Sequence, residues 1–189
     1  MAKDLNKMTT DELGQLFPII IVDYNPDWPR LASIESSNIM EAVGKDFITR
    51  IEHIGSTAVP GLCAKPTIDF LLEILEITNC NILIEQLQKI GYHFIPKHEN
   101  PPPYMMFAKG YSESGITGQA FHIHVRYPGD WDELVFRDYL IKNISVTAEY
   151  SILKRKLAAE FKCDREKYTD SKSTFIKNTT LTARKKNKI

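Results

Sequence analysis

The 189-residue chain predicts a mixed α/β fold of the α+β kind, in which helices flank a mixed sheet and further helices follow at the C-terminal end. Up to about residue 127, apolar segments of strand length alternate with amphipathic segments of helix length. From Asp130 onward, the apolar residues recur at helical spacing only. With 43% hydrophobic residues and ordinary glycine and proline counts, the composition excludes disordered, collagen-like and disulfide-scaffold proteins.

Each element follows from a local pattern of residues. Apolar residues at helical spacing, with capping residues before them and glycines after them, indicate helices, whereas alternation or short apolar runs indicate strands. The first predicted elements are a short helix opened by the capping-box spacing of Thr9 and Glu12, a buried strand at 18–23, and a helix at 27–43 with Pro29 in its first turn and Gly44 at its end. Strands at 47–54 and 67–74, a helix capped by Thr78 or Asn79 and ended by Gly91, and a strand at 92–95 follow. A proline-rich segment at 96–103, which is neither helix nor central strand, precedes a hairpin of strands 104–109 and 119–127 joined by a polar loop, and the last predicted elements are helices from Asp130, from Ser145 and from about Asp164.

The net charge of zero conceals an asymmetry along the chain. Residues 1–150 hold 12 Lys and Arg against 20 Asp and Glu, whereas residues 151–189 hold 12 against 4. We expect the basic helical segment to pack on the acidic body, with some of its cations bordering an anion-binding cleft. The chain divides into an N-terminal extension (1–20), a single domain (21–183) and a basic tail (184–189). A nucleic-acid partner is disfavoured, though left open, because no aromatic residues interleave with the terminal charges.

Targeting signals and cysteines add little to the functional prediction. No apolar run approaches the ~20 residues that a membrane-spanning helix needs, and the first residues lack a signal-peptide apolar region. We therefore expect a cytoplasmic protein without a membrane partner. The three cysteines are far apart and odd in number, so they predict free thiols rather than a disulfide framework or a zinc site.

The segment from Glu52 to Asp69 contains the densest set of unusual residues. A Gly55-Ser56-Thr57 turn at a strand end lets backbone N–H groups and a hydroxyl approach a phosphate, and Lys65 can add a positive charge. Asp69 lies within an apolar strand, where an unpaired carboxylate is costly to bury. The spacing of Gly55 and Gly61 differs from that of a Walker A loop, which excludes P-loop phosphoryl transfer.

A second set of polar residues follows in the strand 119–127. His122, His124 and Arg126 alternate with apolar residues and therefore project from one face of that strand. A single histidine in such a position is more often structural. Together with His53 and Asp69, however, these histidines predict a mononuclear metal site or a phosphate site.

Several segments share the residue pattern of one known family: Tyr24–Pro29, Glu52–Leu62 with Ala64–Pro66 and Ile68–Asp69, Phe121–Val125, Phe136–Leu140, Tyr150 with Leu153–Lys154, and Asp164–Arg165 with Tyr168, Lys172 and Phe175–Ile176. On these segments, which span about Ile21 to Ala183, the chain resembles the GrpB family of the nucleotidyltransferase superfamily.

The resemblance implies a nucleotidyltransferase-like sheet and a nucleotide or other phosphorylated ligand, bound with Mg²⁺ or Mn²⁺. It equates Asp69 with the first metal-binding carboxylate of the superfamily. Leu71 stands at the position of the second carboxylate, and the third falls near His122 or His124. Some family members resemble a domain fused to dephospho-CoA kinase, but this chain has no kinase P-loop.

The leading hypothesis is a metal-dependent protein acting on a phosphorylated ligand, with transfer of a nucleotidyl group as its possible chemistry. Asp69, His122 and His124 are its predicted catalytic and metal-binding residues. An alternative is a non-catalytic binding or accessory module on a degenerate transferase fold, and a third is a mononuclear His/Asp metallohydrolase holding Zn²⁺ or Mn²⁺. The predicted ligand-binding residues are His53, Gly55, Ser56, Thr57, Lys65 and Arg126.

Overall fold

The structure, a computed structural model, describes residues 8–96 and 103–186. It contains a five-stranded mixed sheet with helices on both faces, as the sequence predicts. The strands are β1 (Ile48–Ile54), β2 (Thr67–Ile74), β3 (His93–Ile95), β4 (Met105–Ser112) and β5 (Gly115–Arg126). The helices are α1 (Thr10–Leu16), α2 (Trp28–Val43), α3 (Cys80–Lys89), α4 (Asp132–Lys142), α5 (Ile144–Glu160) and α6 (Arg165–Lys186).

The strand order is β1-β2-β5-β4-β3, with β2 and β5 parallel and every other pair antiparallel. Parallel pairing of β2 with β5 needs a long crossover, which α3, β3 and β4 supply. The register of this pair aligns Asp69 with His122 and Leu71 with His124. Because side chains alternate along each strand, Asp69, His122 and His124 all project from one face, called here the site face.

The opposite face of the sheet carries the main hydrophobic core and is called here the core face. Phe70, Leu72, Phe107 and Ile123 project from it and pack under α2 and α3. Both helices begin and end within two residues of the predicted positions, because Asn79 caps the second and Gly44, with φ of 92°, ends the first.

A partly buried ion pair, of buried Glu35 with partly exposed Lys109, lies within the core face. Glu35 of α2 is 5% exposed and accepts hydrogen bonds from the Lys109 ammonium group at 2.8 Å and from the Tyr92 hydroxyl at 2.9 Å. The Asn38 side-chain amide donates to its second oxygen at 3.1 Å. The carboxylate of Glu35 is therefore neutralised and hydrogen-bonded where it is buried.

Helices α4, α5 and α6 cover the loop between β1 and β2 on the other side of the molecule. Val59 and Leu62 of that loop pack against Leu140 and Tyr150, with Phe175 of α6 stacked on Tyr150 at 4.9 Å between ring centroids. The basic segment also contacts the acidic body directly, since Arg184 pairs with both Asp130 and Asp132. All three helices occur where the apolar spacing predicts them.

Two predicted elements differ from those observed. Residues 18–23 do not form a strand, because the segment runs beside α5 and α6 rather than along the sheet, and Val22 makes only a single bridge to Ala64. The hairpin is longer than predicted, since β4 and β5 extend through most of the expected loop. The side chains in this stretch are mostly polar and therefore give no strand pattern in the sequence. Backbone groups pair the two strands there. Most of the predicted proline-rich segment at 96–103 lies outside the described residues.

None of the helices within residues 8–96 and 103–186 is both long enough and apolar enough to cross a membrane. The three cysteines are free, as predicted.

Candidate functional site

Asp69, His122 and His124 converge on the site face at the junction of β2 and β5. The Oδ1 atom of Asp69 lies 3.1 Å from Nδ1 of His122 and 3.8 Å from Nε2 of His124. One donor atom from each of the three side chains falls within 4.8 Å of the others. All three side chains are partly exposed, so a small ion or ligand can reach them.

The backbone of Gly55 approaches Asp69 closely from the end of β1. Gly55 adopts φ of 72°, and a Cβ atom built on it would lie 2.6 Å from Oδ2 of Asp69. Any other residue would both strain the backbone and push the carboxylate away. The glycine of the predicted Gly55-Ser56 turn is therefore required for the position of Asp69, and Ser56 begins the single 3₁₀ turn that follows.

The carboxyl group of Asp69 is held in its charged form. Burial raises its pKa, but the hydrogen bonds and charges of His122 and His124 lower it by a larger amount. The pKa of Asp69 therefore lies well below the usual range. This carboxylate is the negative centre of the site.

Tyr111 of β4 orients His122 from the side opposite Asp69. Its hydroxyl lies 2.9 Å from Nε2 of His122, and the two rings are nearly parallel, with 5.6 Å between their centroids. With Asp69 ionised, the Nδ1–H of His122 donates to Oδ1 and Nε2 accepts from the Tyr111 hydroxyl. A cation beside the carboxylate would require the other tautomer, in which Nε2–H donates to the same hydroxyl and the Nδ1 lone pair is free. Tyr111 can orient His122 in both tautomers, because a hydroxyl both donates and accepts.

Two lysines from different parts of the chain meet over the ring of Tyr168 in α6. The ammonium nitrogens of Lys172 and Lys65 lie 4.2 and 6.0 Å from the ring centroid. Burial lowers the pKa of each to about 8, with the charge of Arg165 lowering that of Lys65 further and the charge of Lys65 lowering that of Lys172. Asp69 acts in the opposite direction on both lysines. Positive charge therefore concentrates beside Asp69.

A third lysine secures the loop that carries Lys65. Lys154 of α5 is 2% exposed and donates a hydrogen bond to the backbone carbonyl of Cys63. Burial is the main cause that lowers its pKa, to about 7, and the charge of Lys172 contributes in the same direction. Its ammonium group also lies 4.8 Å from the centroid of the Tyr150 ring.

Three predicted ligand-binding residues stand apart from this cluster. His53 is paired with Phe70 and so projects from the core face, where its Nε2 lies 2.9 Å from the hydroxyl of Thr57. That hydroxyl donates to the backbone carbonyl of Thr67 at 3.2 Å, and burial lowers the pKa of His53 to about 4. His53 and Thr57 therefore brace the turn rather than line the site.

Arg126 lies at the far end of β5, paired with Glu73 in the sheet register. Its guanidinium group stands 5.2 Å from the ring of Tyr104 and 5.7 Å from the ring of Trp131, and 3.8 Å from a carboxylate oxygen of Glu133. Four residue steps along an extended strand separate Arg126 from His122 by about 13 Å. Arg126 therefore belongs to a separate aromatic cluster.

The donor atoms of the cluster fit a transition-metal ion better than Mg²⁺. Ligands bound about 2.1 Å from one metal lie about 3.0–3.4 Å from each other, which the 3.1 Å separation of Asp69 and His122 already meets. His124 needs a small rotation to match it. Two imidazoles and one carboxylate suit Mn²⁺, Fe²⁺ or Zn²⁺, whereas Mg²⁺ prefers oxygen ligands. Of the two metals implied by the resemblance, Mn²⁺ is the better match.

Sequence reasoning assigned no role to Tyr111, Arg165 or Lys172. Tyr111 was expected in a loop, and nothing in the local pattern places its hydroxyl on His122. For Arg165 and Lys172 a signal existed, because the positive charge of residues 151–189 predicts cations near an anion-binding cleft. The charge count locates the segment but not the two residues.

Comparison with known proteins identifies relatives along most of the chain. A family model described as "GrpB protein" matches residues 18–181. A UPF0157 protein of Halalkalibacterium halodurans is 32% identical over 169 residues, which cover 87% of this chain and 84% of that protein. The glutamate-rich protein GrpB of Alkalihalophilus pseudofirmus is 32% identical over 161 residues, covering 84% and 91% of the two chains.

Two further similarities concern the fold and a larger protein. The crystal structure of the conserved protein GrpB from Enterococcus faecalis superposes with a TM-score of 0.77 at 31% identity, covering 90% of this chain and all of that one. A dephospho-CoA kinase of Mycolicibacterium paratuberculosis is 24% identical over 183 residues, which cover 85% of this chain but only 45% of the kinase.

Proposed function

The chain belongs to the GrpB family, and we propose that it binds a nucleotide or another phosphorylated ligand together with a divalent metal ion. The observation that supports this proposal is the position of a basic cluster, formed by Lys65, Arg165 and Lys172, beside the Asp69, His122 and His124 cluster. One set of donors suits a cation and the other suits an anion. A metal-bound phosphate ester carries both charges.

The basic cluster consists of Lys65, Arg165 and Lys172. In the absence of a ligand these cations are poorly compensated, since burial and mutual repulsion lower the pKa of both lysines. An anion of several charges would relieve that repulsion and keep both ammonium groups protonated. The site is therefore organised in advance for a ligand such as a di- or triphosphate.

Asp69, His122 and His124 would hold the metal ion, with Tyr111 fixing the orientation of His122. A bound metal would supply charge neutralisation for a phosphate oxygen. Gly55 allows Asp69 to stand close to the start of the 3₁₀ turn, which begins at Ser56. The protein's own contribution is to position these groups in a partly enclosed cleft.

A second candidate function is binding without catalysis, and Leu71 favours it. The superfamily's second carboxylate position is taken by this fully buried leucine. Glu73, the next acidic residue on the same face, accepts hydrogen bonds from Arg50 at 3.0 Å and from the Gly129 N–H at 3.2 Å. With one free carboxylate the site suits a single metal ion, and an accessory module needs no more than that.

Titration of the purified protein tests the proposed binding function. We expect Mn²⁺ to bind the wild-type protein and Asp69→Asn to weaken that binding by about a hundredfold or more, as followed by loss of the free Mn²⁺ electron paramagnetic resonance signal. With Mn²⁺ present, ATP, GTP, CTP and tripolyphosphate are then titrated calorimetrically. Lys172→Met should weaken the binding of the anion about tenfold or more.

Lys177→Met is the matched control, because Lys177 is an exposed lysine of the same helix. It should leave both titrations unchanged. The proposal fails if neither tripolyphosphate nor any of the three nucleotides gives heat with the wild-type protein. Release of pyrophosphate on incubation with a bound nucleotide would favour the enzyme over the accessory module, and binding without release would favour the module.

A further inference from the structure

A cavity of about 980 Å³ lies directly beside the metal-binding cluster, on the β3–β4 side of His122. Its described walls come from α1, α3, β3, β4, β5 and the start of α6. Apolar groups form most of the lining surface, although half of the fourteen lining residues are polar or charged. The apolar lining residues are Leu13, Phe17, Phe94, Ile95, Met106, Ala108 and Tyr111.

Two polar residues belong both to this cavity and to the proposed phosphate site. His122 forms part of the cavity wall while its Nδ1 atom faces Asp69 at 3.1 Å. Arg165 lines the cavity, its guanidinium group stands 6.0 Å from the ring centroid of Tyr111, and its charge acts on Lys65. His122 and Arg165 therefore stand between the apolar cavity and the charged site.

The N-terminal segment completes the cavity rather than standing apart from the domain. Phe17 is 5% exposed and meets the ring of Tyr111 edge to face, with 5.2 Å between centroids. Gly14 of α1 packs so tightly against the carbonyl of Cys163 that no side chain would fit there. This contact holds α1 at the cavity, so that Leu13 of α1 and Phe17 at its end form a fixed wall.

The size and lining of the cavity indicate its occupant. Sites for small organic ligands have volumes of about 300–1,000 Å³ and are mainly apolar, with a few polar groups that orient the ligand. Here the orienting groups, His122 and Arg165, stand at the end that meets the basic cluster. Inorganic phosphate or a polyphosphate would leave this apolar space without a partner.

We infer that the cavity binds the apolar, ring-bearing body of an organic phosphate whose phosphate group lies against Arg165, Lys65 and Lys172. This inference rests on the proposed function and names the class of ligand for the same site. The ring displaces water from the walls formed by Phe17, Met106 and Tyr111. A phosphate ester with a small polar body, such as a polyol phosphate, gains no comparable contact.

Three phosphate compounds of graded size test the inference: inorganic phosphate, glycerol 3-phosphate and 1-naphthyl phosphate, each titrated with Mn²⁺ present. We expect 1-naphthyl phosphate to bind about tenfold more tightly than glycerol 3-phosphate, or better. In Ala108→Trp, which fills the cavity, the ratio of these two affinities should fall to about one. Ala159→Trp places the same side chain at an exposed position of α5 and should keep the wild-type ratio.

A second measurement needs no cavity mutation. In protein labelled with ¹³C at its methionine methyl groups, 1-naphthyl phosphate should shift the resonance of Met106, which lines the cavity. Met105, its neighbour in β4, is 2% exposed and packs within the core face, so its resonance should not move. Met106→Leu assigns the affected signal.

The possible failures separate the two proposals. Equal affinities for glycerol 3-phosphate and 1-naphthyl phosphate, or an unshifted Met106 resonance, would overturn the assignment of the cavity while phosphate binding itself stands. If the wild-type protein binds none of the three compounds, nor tripolyphosphate, both the proposed function and this inference are overturned.

Discussion

The two faces of the sheet bury charged groups in opposite ways. On the core face, Glu35 is enclosed with Lys109, and the Tyr92 hydroxyl completes the pair. On the site face, Lys65 and Lys172 gather beside a single carboxylate, that of Asp69, and neither forms a salt bridge within the described parts of the chain. The first arrangement is complete by itself. The second has excess positive charge, which is what a binding site for an anion requires.

Removing one lysine from each face should have effects of opposite sign, and this is the largest effect we expect. Lys109→Met leaves the carboxylate of Glu35 buried without its cation and should destabilise the protein by about 2–4 kcal/mol. Lys172→Met removes repulsion near Lys65 and leaves an apolar side chain on the ring of Tyr168. We expect it to stabilise the ligand-free protein by about 1–2 kcal/mol. Urea unfolding of both variants at pH 7 measures the difference.

Lys177→Met serves as the control, because it removes the same charge from an exposed position of α6 and should change stability by less than about 0.5 kcal/mol. A loss of stability in Lys172→Met similar to that in Lys109→Met would contradict the comparison. It would mean that the lysine is part of the folded structure's own charge balance.

Two glycine substitutions test whether the close approach of Gly55 holds the Asp69 carboxylate in place. Gly55 and Gly61 both have positive φ, of 72° and 77°, but only at Gly55 would a Cβ atom meet Asp69, and nothing lies within 4 Å of one at Gly61. Gly61→Ala should therefore cost only the backbone term, about 1–2 kcal/mol. Gly55→Ala should cost about 1 kcal/mol more and should also weaken Mn²⁺ binding about tenfold or more, because the carboxylate must move.

Equal stability losses with unchanged Mn²⁺ affinity in both glycine variants would show that Asp69 is not held by the close approach of Gly55. Stability is measured by urea unfolding without metal, and Mn²⁺ affinity by electron paramagnetic resonance. The two readouts separate backbone strain from displacement of the carboxylate.

The buried Lys154 gives the site side of the molecule a dependence on pH. Its pKa is about 7 in the folded protein and 10.5 in the unfolded chain. Between these values the unfolded state binds a proton that the folded state does not, so the free energy of unfolding rises with pH. We expect Lys154 alone to add about 2–3 kcal/mol to the stability of the ligand-free protein between pH 7.5 and 9.5, and Lys65 and Lys172, whose pKa values burial lowers to about 8, to add more.

Lys154→Met should remove about 2–3 kcal/mol of this rise and leave the part due to Lys65 and Lys172, whereas Lys177→Met should keep all of it. Urea unfolding at three pH values over the interval provides the measurement. A wild-type stability that stays level or falls from pH 7.5 to 9.5 would contradict the burial of a largely neutral Lys154.

Much of the fold could be predicted from the sequence because its signals are local. The helix caps at Thr9 and Asn79, the glycine at the end of α2 and the apolar run of β2 act over a few residues, and each marks an element correctly. The segment 18–23 shows the limit of such signals. Its apolar residues are suited to burial, but whether they pack in a sheet or against helices depends on distant parts of the chain.

The convergence of Asp69, His122 and His124 was partly predictable for a different reason. Alternation along β5 sets His122 and His124 on one face, and the GrpB resemblance brings Asp69 into the same group. The structure does not bring His53 into this group, because the register of β1 against β2 turns its side chain to the core face. Tyr111 and Lys172 reach the site through tertiary packing, which leaves no local signal.

A pair of hydrogen-bonded tyrosine hydroxyls, one on each face, gives the smallest expected effect and the finest test of the comparison. The Tyr92 hydroxyl donates to Glu35 on the core face, and the Tyr111 hydroxyl contacts Nε2 of His122 on the site face. Tyr92→Phe should cost about 1–2 kcal/mol of stability and leave Mn²⁺ affinity unchanged. Tyr111→Phe should weaken Mn²⁺ binding about tenfold, because the hydroxyl that orients His122 and can accept its Nε2–H is lost.

We expect Tyr111→Phe to change the stability of the metal-free protein by less than about 1 kcal/mol, since its partner His122 remains accessible to water. The same two measurements, urea unfolding and Mn²⁺ titration, apply to both variants. If the two substitutions affect stability alike and neither changes metal affinity, the hydrogen bond of Tyr111 is structural. The two faces would then differ in their charge, but the polar side chains of both would serve only to stabilise the fold.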